Sequence, residues 1–120
     1  EIKNYLSGIV ERGKKCGIEI FYRLTSSSHK LGRCTENISN ATYIAPDGEV
    51  SPCAYTNIPI TDGSYAVDCI EKPYQRITFG NINNEPLWKI WHSKAYTEFR
   101  KAHEQLRPPE TCQNCPKLFI

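Results

Sequence analysis

The sequence predicts a small α+β fold, in which a β-hairpin is followed by C-terminal helices and preceded by a helix–strand unit. Three observations predict it. A helix-periodic apolar stripe opens the chain and passes straight into a short β-branched run. Pro46-Asp47-Gly48 reverses the chain between two strand-like segments, and the longest amphipathic stretch comes late, between Asn84 and Pro109.

In the first segment Ile2, Tyr5, Leu6, Ile9 and Val10 share one helical face, and basic residues followed by Gly17 close it, with Cys16 in the last turn. Ile18 to Leu24 is short and rich in β-branched and aromatic residues, which predicts a strand. The Ser-rich run Thr25 to His29 breaks the pattern and predicts a linker or domain boundary leading through Gly32 to Cys34. Between Ala41 and Thr56 the pattern is strand, turn, strand. Pro46 presets the first turn position, Gly48 supplies a residue that tolerates positive φ, and Val50 begins the return. The reversal predicts that Cys34 and Cys53 approach a common end of the hairpin. Ile58 to Gln75, punctuated by Pro59, Asp62-Gly63 and Pro73, predicts mainly irregular chain with a short strand at Tyr65 to Ile70.

The late segment predicts two consecutive helices. Asn84 is positioned to cap the first, with Glu85 and Pro86 in its opening turn, and Ser93 caps the second. Leu87, Trp88, Ile90 and Trp91 are expected to face the core from the first helix, and Tyr96, Phe99 and Ala102 from the second. Pro108-Pro109 is expected to end it. Immediately beyond lies Cys112-Gln113-Asn114-Cys115.

Composition narrows the function classes. The chain has 120 residues, with 15 Lys plus Arg against 13 Asp plus Glu for a net charge of +2. No basic run is long enough to form a nucleic-acid face. No apolar stretch approaches the ~18 residues of a membrane span, and no signal-peptide pattern opens the chain. The sequence is therefore read as soluble and cytoplasmic, although two sequons, at Asn37 and Asn40, formally fit secretion. The lack of any Met is read as the mark of a piece of a longer polypeptide. Six cysteines exceed ordinary cytosolic usage but fall below the roughly 8–10% of a disulfide scaffold.

The thiols at Cys34 and Cys53 admit three readings: a disulfide, buried apolar groups, or half of a metal site. A Cys-x-x-Cys on a turn aims two sulfurs at one point, which suits a tetrahedral metal or an iron–sulfur cube. A thioredoxin-type motif has the same spacing, but it opens a helix after a strand, whereas Cys112 follows a Pro-Pro break.

The composite pattern is more specific than either pair. C-x13-G-x4-C from Cys34 through Gly48 to Cys53, then FGNI at Phe79 to Ile82, LWKIWHS at Leu87 to Ser93, FR at Phe99-Arg100, and CQNC, resembles the SPASM/Twitch extension of radical S-adenosylmethionine (radical SAM) enzymes. The likeness runs from Cys34 to Cys115. It implies that residues 1–28 are the end of a partial (β/α) barrel with its linker, and that 29–120 are a cluster-binding domain. It further implies that Cys34, Cys53, Cys112 and Cys115 ligate one auxiliary [4Fe–4S] cluster. Four thiolates leave no open iron, which fits electron transfer alongside a substrate channel.

The sequence lacks the further cysteines of a two-cluster SPASM domain, so the match is to the shorter Twitch form. It also lacks Cys-x3-Cys-x2-Cys, so S-adenosylmethionine and a second [4Fe–4S] cluster would belong to an N-terminal barrel of the same chain. The resemblance thus implies a parent oxidoreductase or peptide- or cofactor-modifying enzyme, with these 120 residues inactive alone. The implied partners are that barrel, an electron donor such as a ferredoxin or flavodoxin, and a peptide or small-molecule substrate. The alternative from a different class is a structural zinc module with four cysteine ligands that serves interactions, and zinc would also serve as a substitute metal.

Other chemistry-bearing residues receive structural readings. Cys16 is read as an apolar helix thiol and Cys69 as a loop or strand thiol, since free cysteines are commonly buried, with Cys69 also able to replace or supplement a ligand. Trp88 and Trp91 are read as core anchors, and His29, His92 and His103 as surface or packed histidines. Asp47 is a turn residue, and Lys94, Arg100, Lys101 and Arg107 form a solvated helix face.

Overall fold

The computed structural model describes residues 1–24, 33–67 and 69–118. The predicted linker at Thr25 to His29 lies outside the described residues. The first helix, α1 (Ile2–Lys15), ends where the sequence places its stop. Gly17 adopts φ +70°, Gly17 N–H donates to the Lys14 carbonyl and Ile18 N–H to the Gly13 carbonyl, the paired bonds of a Schellman cap.

Ile18–Leu24 does not form the predicted strand: no ladder partner exists for it among the described residues. A β-branched run becomes a strand only when its backbone groups find a neighbouring chain. Here the segment turns back, and Ile20 packs onto α1 at Gly13, where a Cβ would stand 2.7 Å from the Ile20 side chain.

The hairpin forms as predicted. Strands β1 (Tyr43–Ile44) and β2 (Glu49–Ser51) are antiparallel, with Tyr43 opposite Ser51 and Ile44 opposite Val50. Gly48 closes the turn at φ +86°, donating to the Ala45 carbonyl at 2.8 Å. Between Ile58 and Gln75 the sequence under-predicts order. Strands β3 (Ser64–Val67) and β4 (Ile70–Pro73) form a second hairpin, with Cys69 at φ +64° in its turn and Pro73 at a strand end, where its missing N–H costs no ladder bond. A final short strand, β5 (Gly80–Asn81), joins the far edge of β2, giving the order β1-β2-β5.

Asn81 and Asn83 explain why this strand docks there. The Asn81 amide donates to the Asp47 carbonyl and the Glu49 carboxylate, both at 3.0 Å, and the Asn83 amide also reaches the Asp47 carbonyl. Arg76 pairs with Asp47 at 2.7 Å from the other side.

Helix α2 (Leu87–Trp91) starts at Pro86, not at an Asn84 cap, because Asn84 and Glu85 are consumed by a turn that bonds back to the Asn81 carbonyl. Helix α3 (Lys94–Glu104) is capped by Ser93, whose hydroxyl accepts from Tyr96 N–H. Val50, Ile90 and Tyr96 form the buried centre, with Phe79 and Trp91 packed against it. Phe79 and Tyr96 stack with centroids 4.3 Å apart, and Trp91 meets Tyr96 edge-on at 5.2 Å. Trp88 is not a core anchor; it is 68% exposed. Two residues along a helix turn through about 200°, so with Ile90 inward Trp88 points out.

Arg100 also departs from expectation, being buried. Its guanidinium lies 3.8 Å from the Trp91 ring centroid and 4.7 Å from that of Tyr96, and it donates to the Trp91 carbonyl at 2.8 Å.

α3 ends at Glu104, ahead of the Pro-Pro pair, through a second Schellman cap. Leu106 takes φ +58° and Arg107 N–H donates to the Ala102 carbonyl. Pro109 instead caps a short fourth helix, α4 (Glu110–Gln113). No helix among the described residues is long and apolar enough to cross a membrane.

Candidate metal centre

Three separate segments carry the four thiols singled out by the sequence. Cys34 precedes the turn that leads into β1, Cys53 immediately precedes the 3-10 turn Ala54–Thr56 after β2, and Cys112 and Cys115 straddle the end of α4. The Cys-x-x-Cys therefore stands at a helix end and not on a free turn. Cys115 N–H donates to the Cys112 carbonyl at 3.1 Å, and a 3-10 turn, Pro116–Leu118, follows at once.

All four thiols are half-buried and unbonded to one another, so no disulfide joins Cys34 to Cys53. Burial raises the pKa of Cys34, Cys112 and Cys115 above the ordinary thiol value, and the neighbouring thiols raise it further. Cys34 feels Cys115 and Cys53; Cys112 feels Cys115, Cys53 and Cys34; Cys115 feels Cys53. Cys112 is pushed up to about 12. Such influence fades over roughly 10 Å in salt, so the four sulfurs occupy one region. Two backbone donors oppose it: Glu36 N–H lowers Cys34, and Lys117 N–H lowers Cys115.

The gathering is not a closed single-ion shell. Among the described residues no group of three or more His, Cys, Asp or Glu is arranged to hold one metal ion. The two observations are compatible, because sulfurs can share a region without converging on a point. Four thiols are a soft donor set, which fits iron–sulfur chemistry and resists full ionisation without positive charge between them.

Residues outside the predicted set hold the three segments together. Lys117 pairs with Glu36 at 2.8 Å, its ammonium lies 5.1 Å from the Tyr55 ring centroid, and its carbonyl accepts from Thr35 N–H at 3.4 Å. One residue of the tail thus touches both the Cys34 turn and the Cys53 turn. Nothing in the sequence distinguishes this Lys from a solvated one, because its partners lie about 60 to 80 positions away. On the Cys53 side, the Thr56 hydroxyl stands 3.7 Å from Cys53 Sγ while donating to the Cys53 carbonyl at 2.9 Å.

Cys16 and Cys69 stand apart from this set, and both are exposed, contrary to the expectation of buried thiols. Cys16 follows the end of α1, and Cys69 needs the hairpin tip for its positive φ. His92 is exposed and bonds the Trp88 carbonyl, whereas His103 is buried against Phe99, in line with their structural readings. His29 lies outside the described residues.

Comparison with known protein families places this arrangement. The family model described as SPASM, an iron–sulfur cluster-binding domain, matches residues 34–116, a span that contains all four gathered thiols. Neither the curated proteins nor the solved structures yielded a match. With the model covering more than two-thirds of the chain, this protein belongs to the SPASM family of iron–sulfur cluster-binding domains.

Proposed function

We propose that the chain is the auxiliary-cluster module of a radical SAM enzyme, with Cys34, Cys53, Cys112 and Cys115 as the ligands of one [4Fe–4S] cluster. The observation that carries the ligand assignment is that four half-buried, unbonded thiols from three segments all fall within the matched span. When bound, such a cluster supplies one-electron chemistry, fed by a donor such as a ferredoxin or flavodoxin. The chain's own residues hold it: the backbone N–H groups of Glu36 and Lys117 lower the pKa of Cys34 and Cys115, and the Lys117–Glu36 pair keeps the tail against the hairpin. A donor N–H at sulfur stabilises the more reduced, more negative state and raises the potential.

The reading divides the chain into residues 1–28, docked on a partial barrel, and residues 29–120, the cluster domain. Apolar side chains on the first unit support it, with Ile2 64%, Tyr5 68% and Phe21 83% exposed and available to a neighbouring domain. S-adenosylmethionine and its own cluster then belong to that barrel. A peptide or small-molecule substrate would reach the auxiliary cluster from there.

A zinc module is the weaker reading. Four thiolates around one zinc stand about 3.8 Å apart, given Zn–S bonds near 2.3 Å, and the described donors form no such shell.

Anaerobic reconstitution tests the proposal. A brown protein with broad absorption near about 400 nm is expected, losing most of its iron when any of Cys34, Cys53, Cys112 or Cys115 is replaced by Ala and keeping it in Cys16→Ala and Cys69→Ala. Loss of iron in Cys69→Ala but not in Cys34→Ala would sink the ligand assignment. Production of 5′-deoxyadenosine from S-adenosylmethionine by these 120 residues alone would overturn the modular reading.

A further inference from the structure

The sequence holds two Asp-Gly pairs, Asp47-Gly48 and Asp62-Gly63, and no Asn-Gly. An Asp-Gly pair is open to an internal reaction, because glycine carries no Cβ to shield its nitrogen from the preceding carboxyl group. The fold treats the two pairs in opposite ways. Asp47 is tied through both carboxylate oxygens: Oδ2 accepts from Arg76 at 2.7 Å and Oδ1 from Glu49 N–H at 3.2 Å. Gly48 is buried, and its N–H is committed to the Ala45 carbonyl at 2.8 Å. The Arg76 guanidinium also holds the Asp47 carboxyl below the usual carboxylate range, in the ionised form that makes a poor electrophile.

Asp62-Gly63 has none of these restraints. It lies in the bend ahead of β3, where Asp62 is exposed and left-handed at φ +54°. Among the described residues neither the Asp62 carboxylate nor Gly63 N–H has a hydrogen-bond partner. Packing nevertheless demands the glycine, since a Cβ there would overlap the Ile60 side chain.

We propose that Asp62-Gly63 is the site at which the folded chain forms isoaspartate, while Asp47-Gly48 is protected. The Gly63 nitrogen attacks Asp62 Cγ; a C–N bond forms, the carboxyl C–OH bond breaks, and the hydroxyl leaves with the amide proton as water. The product is a five-membered succinimide, which a second water opens at either carbonyl. Attack at the side-chain carbonyl restores aspartate. Attack at the backbone carbonyl leaves the chain running through the side chain with a free α-carboxylate, at no net change of mass or oxidation state. The lengthened link enters just before β3, where the Gly63 carbonyl accepts from Tyr74 N–H at 2.7 Å. The Tyr74 hydroxyl in turn accepts from Ile58 N–H at 2.8 Å and donates to the Tyr55 carbonyl at 3.2 Å, so the change bears on the loop that follows Cys53. The new α-carboxylate is the methyl-accepting group that an isoaspartate-directed carboxyl methyltransferase recognises, and a repair enzyme of that class is the partner this site fits.

The test warms the 120-residue chain for several weeks at mildly acidic pH, below its unfolding transition, and measures isoaspartate by enzymatic carboxyl methylation. Cleavage after glutamate separates the two pairs into peptides 37–49 and 50–71, and fragmentation locates the residue. Asp47 must give up charge-assisted bonds before its ring can close, so isoaspartate is expected at residue 62 about tenfold faster or more than at residue 47. In urea both pairs are released, and the two rates should become similar. Asp62→Ser should remove the signal from peptide 50–71. Asp62→Asn should lose ammonia through the same ring and show the mass gain of an amide converted to an acid. Equal rates at the two pairs in the folded chain, a ratio that urea leaves unchanged, or an Asp62→Asn amide that persists in the folded chain would overturn the inference.

Discussion

Arg100 shows how far a single side chain can depart from its sequence pattern. It sits on α3 among charged neighbours, where a solvated face is the ordinary reading, yet it is buried, as is the packed His103 on the same helix. Arg100 is held by two ring faces and the Trp91 carbonyl. Arg100→Ala should therefore cost about 2–4 kcal/mol in denaturant unfolding, because it removes a charge-assisted bond and two cation–π contacts. Arg100→Met should cost less, since its apolar stem still fills the gap between the rings. For His103 the sign follows from burial, which lowers its pKa in the folded protein. Its stabilising contribution is present above the unfolded value of about 6.5 and is lost as pH falls through the lower folded value. The thermal stability of the wild type should fall on acidification below about pH 6.5, and His103→Gln should flatten that part of the profile.

At the scale of elements, the first hairpin depends on one conformation and one docking strand. A Cβ on Gly48 would be strained at φ +86° and would press on the Asn81 and Asn83 side chains that anchor β5. Gly48→Ala should destabilise the domain by about 1–3 kcal/mol and, by loosening the strand that leads to Cys53, reduce iron retention. Ser93→Ala should cost about 1 kcal/mol through loss of the α3 cap, with no effect on iron content. The contrast is informative, because α3 carries none of the thiols while β2 runs almost directly into Cys53. The Schellman cap at Leu106 explains why α3 stops before the prolines: a left-handed Leu is accepted for the two bonds it brings.

For the whole molecule, the site couples the tail to the hairpin. Lys117 makes the direct ties, and a shared cluster would add covalent ones, so loading should protect the backbone from about Arg107 onward in hydrogen exchange. Equal protection of that tail in loaded and cluster-free protein would argue against the coupling. Lys117→Ala should increase exchange in the cluster-free tail and accelerate iron loss, with little change in the helices.

The sequence by itself determined the α+β class, the Gly48 hairpin, the Ser93-capped helix, and the resemblance that singles out four cysteines, all inside the span the family model matches. Each of these follows from local chemistry: positive φ demands glycine, an N-terminal cap demands a short hydroxyl, and a thiol motif demands fixed spacing. Only the tertiary structure decided that Ile18–Leu24 finds no strand partner among the described residues, that Trp88 is exposed, that Arg100 is buried, and that Lys117 joins the thiol-bearing segments. Those outcomes depend on partners far away in the chain. A β-branched run needs a neighbour to become a strand, and a charged side chain becomes structural only when aromatic faces or an opposite charge reach it through the fold.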